Sequence, residues 1–222
     1  MTPLILNTGI SGEITLKNNP LSNTALSTHI PALIERGIKV EYDMPEGVVL
    51  FKDANLEKAI RDALGIPTEL LKKEDLSILT ELVIDGGHPD NPELTEGEKI
   101  QDLTGIQHCY QLQLLNLRNH QISNITPLAS LTQLSKLDLS FNQVSDVRSI
   151  AKLTKLNWLN LVDNKIEDLS PLTSLINLTT LWLHNNHFSD LSSLSKLTNL
   201  ISLGLASNKV TDKDLSVISS LN

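Results

Sequence analysis

Residues 111–198 read QLQLLNLRNHQISNITPLASLT, QLSKLDLSFNQVSDVRSIAKLT, KLNWLNLVDNKIEDLSPLTSLI and NLTTLWLHNNHFSDLSSLSKLT, which are four copies of one 22-residue pattern. A longer fifth copy, NLISLGLASNKVTDKDLSVISSLN, occupies 199–222. Apolar residues recur at positions 2, 5, 7, 12, 15, 18 and 21 of the first four copies. Such a fixed period is the signature of a solenoid, in which each copy forms one coil and neighbouring coils cover each other's apolar side.

Two spacings within the copy predict its local structure. Positions 5 and 7 are two apart, as in a strand, whereas positions 12 to 21 step by three, as in a 3₁₀-like or extended return segment. The pattern therefore predicts an α/β repeat solenoid with a parallel sheet on its concave side and 3₁₀ or irregular segments on its convex side. In the fifth copy Leu215, Ile218 and Leu221 come later than expected, which predicts a longer helical turn there.

Position 10 forms a column of polar residues inside this apolar pattern. A buried amide is costly unless it is hydrogen-bonded, and amides stacked on successive coils can satisfy the backbone groups of their neighbours. We therefore interpret the column as a structural ladder and not as a catalytic group; it consists of His120, Asn142, Asn164, Asn186 and Asn208.

The segment 49–78 predicts a helical cap. Leu56, Ile60 and Leu64 lie four apart on one helical face, and Gly65 ends that helix before a second short one. A first strand follows, centred on Leu82, and the return segment of its coil resumes only at Ile100. Residues 85–99 lie between this strand and its return segment, where a regular coil has about four residues. The alignment therefore indicates an acidic insertion of about eleven residues.

These motifs together resemble a known bacterial family. FKDANLEKAIRDALGIP at 51–67, IQDLTGIQ at 100–107, and repeats of the form LxxLxLxxNxISDIxPLxxLT are similar to the internalin-type leucine-rich-repeat domain. The resemblance implies a right-handed solenoid with a helical cap at 49–78, a solenoid at 79–222, and recognition of a partner on the concave sheet. It also favours an extracellular or cell-surface location, although the chain carries no signal peptide.

Residues 1–48 predict a separate strand–helix–strand unit. Ile14, Leu16 and Asn19 have the spacing of a repeat strand, 23–36 is helical in pattern, and 38–42 is strand-like. The unit resembles the closing repeat of a preceding leucine-rich array. This start, and a last coil with no following repeat, suggest a piece of a longer protein whose open last coil could support end-to-end self-association.

The candidate binding face follows from the register of the strands. Positions 4, 6 and 8 point away from the core because 5 and 7 point into it, and both tryptophans of the chain occupy this face on adjacent strands, about 7–8 Å apart. Neighbouring aromatic and aliphatic side chains on such a face are typical of an interface. The predicted partner-binding residues are Leu114, Asn116, Arg118, Lys136, Asp138, Trp158, Asn160, Val162, Thr180, Trp182 and His184.

Other classes of function are disfavoured by charge and composition. The net charge of −8 leaves no basic stripe for nucleic acid or an anionic membrane surface, and no run is apolar enough to insert in a bilayer. A single cysteine, Cys109, excludes an intramolecular disulfide and a cysteine-based zinc site.

Metal and catalytic sites are weakly supported. His184 and His187 straddle a strand end, so we expect no metal site or cofactor there. The acidic insertion could supply oxygen ligands to calcium, but it lacks EF-hand spacing, which favours a solvated loop. Without a nucleophile elbow or phosphate loop, we expect a non-catalytic protein-binding module. The alternatives are an architectural spacer, an intracellular scaffold, or a recognition domain attached to an enzyme outside this chain.

Overall fold

The computed structural model describes residues 12–92, 94–214 and 216. Its first unit is a small parallel pair of strands, β1 (Glu13–Thr15) and β2 (Lys39–Glu41), joined by a helix that runs from π-helical Ala25–His29 into α1 (Ile30–Glu35). Leu21, Ala25, Leu26 and Ile30 form a core separate from that of the solenoid. The predicted strand–helix–strand order is confirmed by these elements.

The cap helix ends at the glycine that the sequence predicts. In α2 (Ala54–Leu64), the Asp53 carboxylate accepts hydrogen bonds from the N–H groups of Asn55 and Leu56, and Gly65 ends the helix in the left-handed region at φ 69°. Leu56 and Ile60 are fully buried on the face that packs against the solenoid core. The second helix, α3 (Lys73–Leu76), is a single turn, shorter than the stretch 72–79 whose pattern predicts a short helix.

The solenoid is one parallel sheet of six strands, as predicted. Its strands are β3 (Glu81–Val83), β6 (Leu114–Asn116), β7 (Lys136–Asp138), β8 (Trp158–Asn160), β9 (Thr180–Trp182) and β10 (Ser202–Gly204). They pair in this order with Leu82, Leu115, Leu137, Leu159, Leu181 and Leu203 in register at their centres. One continuous core of leucine, isoleucine and valine runs through all coils.

The return segments are 3₁₀ helices, which confirms the step of three. They are Ile106–His108, Thr126–Ser130, Arg148–Lys152, Ser170–Ser174 and Ser192–Lys196. At the opposite bend of each coil, position 9 lies in the left-handed region at φ 53–59°, and it is occupied by Asn119, Phe141, Asp163, Asn185 and Ser207. The helical turn expected around Leu215, Ile218 and Leu221 lies outside the described residues.

The acidic insertion is folded. It contains an antiparallel pair of short strands, β4 (Gly87–His88) and β5 (Asn91–Pro92), followed by the 3₁₀ helix Glu96–Glu98. The Asn119 side-chain amide donates to the Gly86 carbonyl at 2.8 Å, and Lys99 bonds both Glu96 and the Asn119 side chain. These bonds attach its base to the next coil, whereas the carboxylates of Asp90, Glu96 and Glu98 are exposed.

Candidate functional site

The asparagine column lies at the bend after each strand, where every amide bridges two coils. The Asn164 Nδ2 donates to the carbonyls of Leu139, Leu161 and Val162 at 2.9–3.2 Å, and its Oδ1 accepts the N–H of Val144 at 2.9 Å. Asn142 and Asn186 repeat the same four bonds one coil earlier and later. Asn142, Asn164 and Asn186 thus hold the ends of the strands in register, and their side-chain amides are engaged within the chain. Asn208 keeps the three donor bonds, but its Oδ1 has no partner among the described residues.

His120 takes the place of an asparagine in the first coil of this column. Its Nδ1 accepts the N–H of Ile100 at 3.2 Å, so in the neutral ring Nε2 carries the proton and donates to the Ile84 carbonyl at 2.8 Å. Burial lowers the pKa of His120, which favours this neutral form. The bond to Ile84 spans 36 residues where its counterparts span 25, which confirms the predicted insertion of eleven residues.

The two tryptophans form an edge-to-face pair on the concave sheet. Trp158 stands opposite Thr180 and Trp182 opposite Asn160, so the rings meet on a diagonal between adjacent strands. Their centroids are 5.3 Å apart at an interplanar angle of 72°, closer than the strand spacing alone predicts. The indole N–H of Trp182 donates to the Ser202 hydroxyl at 3.4 Å. Both rings are half-buried by one another and keep the rest of their surface open.

A depression of about 260 Å³ opens beside Trp158 on the same face. Trp158 and Leu114 are half-buried in its wall and Lys136 is exposed at its rim, while Leu115 and Leu137 belong to the core beneath. Asn116 is half-buried and its Oδ1 accepts the N–H of Arg118 at 3.0 Å. The depression therefore combines apolar walls with one cationic side chain, Lys136, which has no hydrogen-bond or ion-pair partner among the described residues.

Asp138 and Asn160, expected to be exposed, are instead buried, with 9% and 5% of their surface exposed. Asp138 accepts the N–H and hydroxyl of Ser140 and the side-chain amide of Asn160. Asn160 in turn accepts the N–H of Val162. These side chains do point away from the core, but their polar atoms are engaged with each other, so they shape the face without offering free groups to a partner.

Arg118, predicted to contact a partner, is also engaged within the chain. Its Nε donates to the Gly87 carbonyl at 3.3 Å, and its guanidinium lies 5.0 Å from the centre of the Phe141 ring. The His88 ring contacts the same phenylalanine edge to face, with its centroid 5.2 Å from that of Phe141. Arg118 thus attaches the insertion to the rim of the sheet.

The remaining predicted residues lie in or just after β8 and β9. Val162 and Thr180 are half-buried and accessible. The His184 Nδ1 accepts the N–H of Ala206 at 3.1 Å, and its ring lies over Gly204, where an added Cβ would stand 2.1 Å from Nε2. Because Gly204 has no side chain, the His184 ring can lie against it. The contacts of His184 are therefore with the neighbouring coil of the chain itself.

Sequence reasoning missed three residues of this surface. Val83, at position 6 of β3, is 61% exposed, and Glu81, at position 4, is exposed as well. The register of Leu79, Leu82 and Ile84 already placed both on the concave face and was the signal that could have found them. Phe141 carried no comparable signal, because its contacts depend on how the insertion folds.

Neither a metal site nor a membrane-spanning helix is found in the described part of the chain. No three histidine, cysteine, aspartate or glutamate side chains converge there as a metal site would require. Within the same residues, no helix has the length and apolar character needed to cross a bilayer. Burial raises the pKa of the Cys109 thiol to about 12, so this side chain is not an activated nucleophile.

Comparison with known proteins agrees with this geometry. The family described as Leucine Rich repeats (2 copies) matches residues 132–174, 154–196 and 176–220. No curated protein matches the chain. An internalin from Listeria monocytogenes is 34% identical over 77% of this chain, with a TM-score of 0.68, and the chain spans about half (47%) of its length.

Two further solved structures share the solenoid. A leucine-rich-repeat protein of Leptospira interrogans is 24% identical, with a TM-score of 0.53, and the match covers 72% of this chain and 41% of that protein. The ectodomain of an Arabidopsis thaliana membrane receptor kinase, solved in complex with CASPARIAN STRIP INTEGRITY FACTOR 2, is 27% identical over 60% of this chain and 16% of its own, with a TM-score of 0.51. With its capped solenoid, asparagine column and matching repeats, the chain belongs to the internalin-type leucine-rich-repeat proteins of bacteria.

Proposed function

We propose that this chain is a non-catalytic module that binds a partner protein on its concave sheet, as part of a larger bacterial surface or secreted protein. Leucine-rich repeats are in general protein-interaction modules, because the curved sheet gathers side chains from several coils around one partner. The observation that carries the proposal is the Trp158–Trp182 pair beside an open depression of about 260 Å³. Rigid aromatic anchors next to a pocket are typical of the energetic centre of an interface.

The contact surface that we propose is narrower than the whole face. It consists of the accessible side chains around the tryptophan pair, with Lys136 as the free charged group at the edge of the depression. Asp138, Asn160, Arg118 and His184 hold the shape of the face through bonds within the chain. We assign the direct contacts to Leu114, Asn116, Lys136, Trp158, Val162, Thr180 and Trp182.

An architectural spacer is the alternative, and it predicts a concave face without anchors. The two functions are separated by a titration with a binding protein selected from a displayed library against the intact chain. Trp158→Ala and Trp182→Ala should each weaken binding about thirtyfold or more, equivalent to about 2 kcal/mol. Lys152→Ala is the control, because Lys152 is exposed on the convex side. Equal binding by all three variants would refute concave-face recognition.

A further inference from the structure

A groove of about 500 Å³ lies between the cap helix and the first strand of the sheet, apart from the tryptophan pair. Asn55, Lys58, Ala59, Asp62 and Ala63 of α2 form one wall, and β3 with the following residue, Ile84, forms the other. Leu94 and Glu98 of the insertion also line the groove. Its volume is within the range of about 300–1,000 Å³ that is usual for ligand pockets.

The strand in this groove is the edge strand of the six-stranded sheet. Its pairing with β6 uses the Thr80 carbonyl, which accepts from Leu114, and the Ile84 N–H, which donates to Asn116. Because backbone groups alternate between the two edges of a strand, the N–H and C=O of Glu81 and Val83 point to the other edge. Among the residues that the structure describes, none bonds these four groups.

The side chains of the groove favour a particular occupant. Asp62, Glu81 and Glu98 carry negative charge, and the one cation, Lys58, is paired with Asp62 at 3.1 Å. Ala59, Ala63, Val83 and Leu94 supply apolar contact area, and Val83 is 61% exposed. An extended segment with alternating basic and aliphatic side chains complements both the charge and the apolar wall.

We infer that this groove binds an extended basic segment of a partner polypeptide, which pairs with the free edge of β3 as an additional strand. Addition of a strand to an exposed edge gives affinity through the main chain and specificity through alternate side chains. Glu81 is the residue that selects for lysine or arginine, since its side chain is exposed at the groove. The backbone of Glu81 and Val83 supplies the pairing groups.

The test uses fluorescein-labelled peptides and the intact chain. A peptide of alternating lysine and valine should bind, and its glutamate–valine counterpart should not. A lysine–proline peptide of equal charge has no N–H groups at its proline positions, so its binding should be weaker by about tenfold. Equal binding of the two lysine peptides would show simple charge attraction and would overturn the strand pairing, as would no binding of the lysine–valine peptide.

Variants of the chain locate the site. Glu81→Lys should weaken lysine–valine binding about fivefold or more, whereas Glu167→Lys, the same change at an exposed carboxylate outside the groove, should change it less than about twofold. Val83→Pro removes one outward N–H that the β3–β6 pairing does not use, so binding should be lost while the fold persists.

Two outcomes would place the peptide elsewhere. Loss of binding in Trp158→Ala, with Glu81→Lys unaffected, would move the peptide to the concave centre and refute the groove. Dimers in sedimentation that dissociate when peptide is added would mean that a second copy of the chain occupies this edge, and this would also overturn the inference.

Discussion

Replacement of Asn164 by leucine tests the energetic role of the asparagine column. The two side chains are similar in shape, so the change removes hydrogen bonds without opening a large cavity. The Oδ1 of Asn164 is the partner that accepts the buried Val144 N–H, and that donor would be left unsatisfied. The three carbonyls that accept from Asn164 each keep another donor. Leu139 keeps the Asn142 amide, Leu161 keeps the Asn186 amide, and Val162 keeps the Phe141 N–H.

The one unsatisfied N–H and the three carbonyls that keep a donor together determine the expected loss of unfolding free energy. An unsatisfied buried N–H costs about 1–3 kcal/mol, and the lost bonds to already paired carbonyls add about 1 kcal/mol, so the free energy of unfolding should fall by about 2–4 kcal/mol. Urea denaturation followed by circular dichroism measures it, with the slope m checked for constancy. The matched control is Asn177→Leu, because Asn177 is exposed and makes one bond to the Thr154 carbonyl. A loss for Asn164→Leu no larger than that of the control would refute the ladder argument.

Two further predictions follow from buried groups in the first coils. Because burial lowers the folded-state pKa of His120, stability is fully present above its unfolded pKa of about 6.5 and falls as pH drops below it. In His120→Asn, the free energy of unfolding should therefore fall less between about pH 7.5 and 5 than it does in the unchanged chain. The same pH dependence in both proteins would contradict this prediction. The Cys109 thiol, with a pKa of about 12, should resist iodoacetamide in the folded chain and react when urea unfolds it. Rapid alkylation of the folded chain would contradict the buried position.

The period of the repeat was sufficient to predict the strands, the 3₁₀ return segments and the length of the insertion. Each of these depends on local alternation, which a single sequence displays directly. The N-terminal unit shows the same effect: Asn18 has the left-handed φ of 58° seen at position 9, and Asn19 donates to the carbonyls of Leu16 and Lys17 as the ladder asparagines do in the solenoid. Whether this unit closes a preceding array stays a prediction.

The candidate site was harder to predict, because the direction in which a side chain points does not determine how accessible it is. The register correctly aims Asp138 and Asn160 away from the core, but it does not show that neighbouring polar groups bury them. Arg118 contacts the Gly87 carbonyl and Phe141 contacts the His88 ring, and both contacts join a repeat to the insertion, two segments that have no common period. The tryptophan pair could be predicted as neighbours, although its edge-to-face contact at 5.3 Å required the three-dimensional structure.

The most direct measurement of concave-face binding is acrylamide quenching of tryptophan fluorescence, because Trp158 and Trp182 are the two tryptophans of the chain. The probe is a library-selected binding protein that itself lacks tryptophan. At saturation, the quenching constant should fall severalfold and the emission should shift to the blue, since a partner on this face covers the open surface of both rings. A quenching constant that stays unchanged at saturation would show that the partner binds away from the tryptophan pair, and would contradict concave-face recognition.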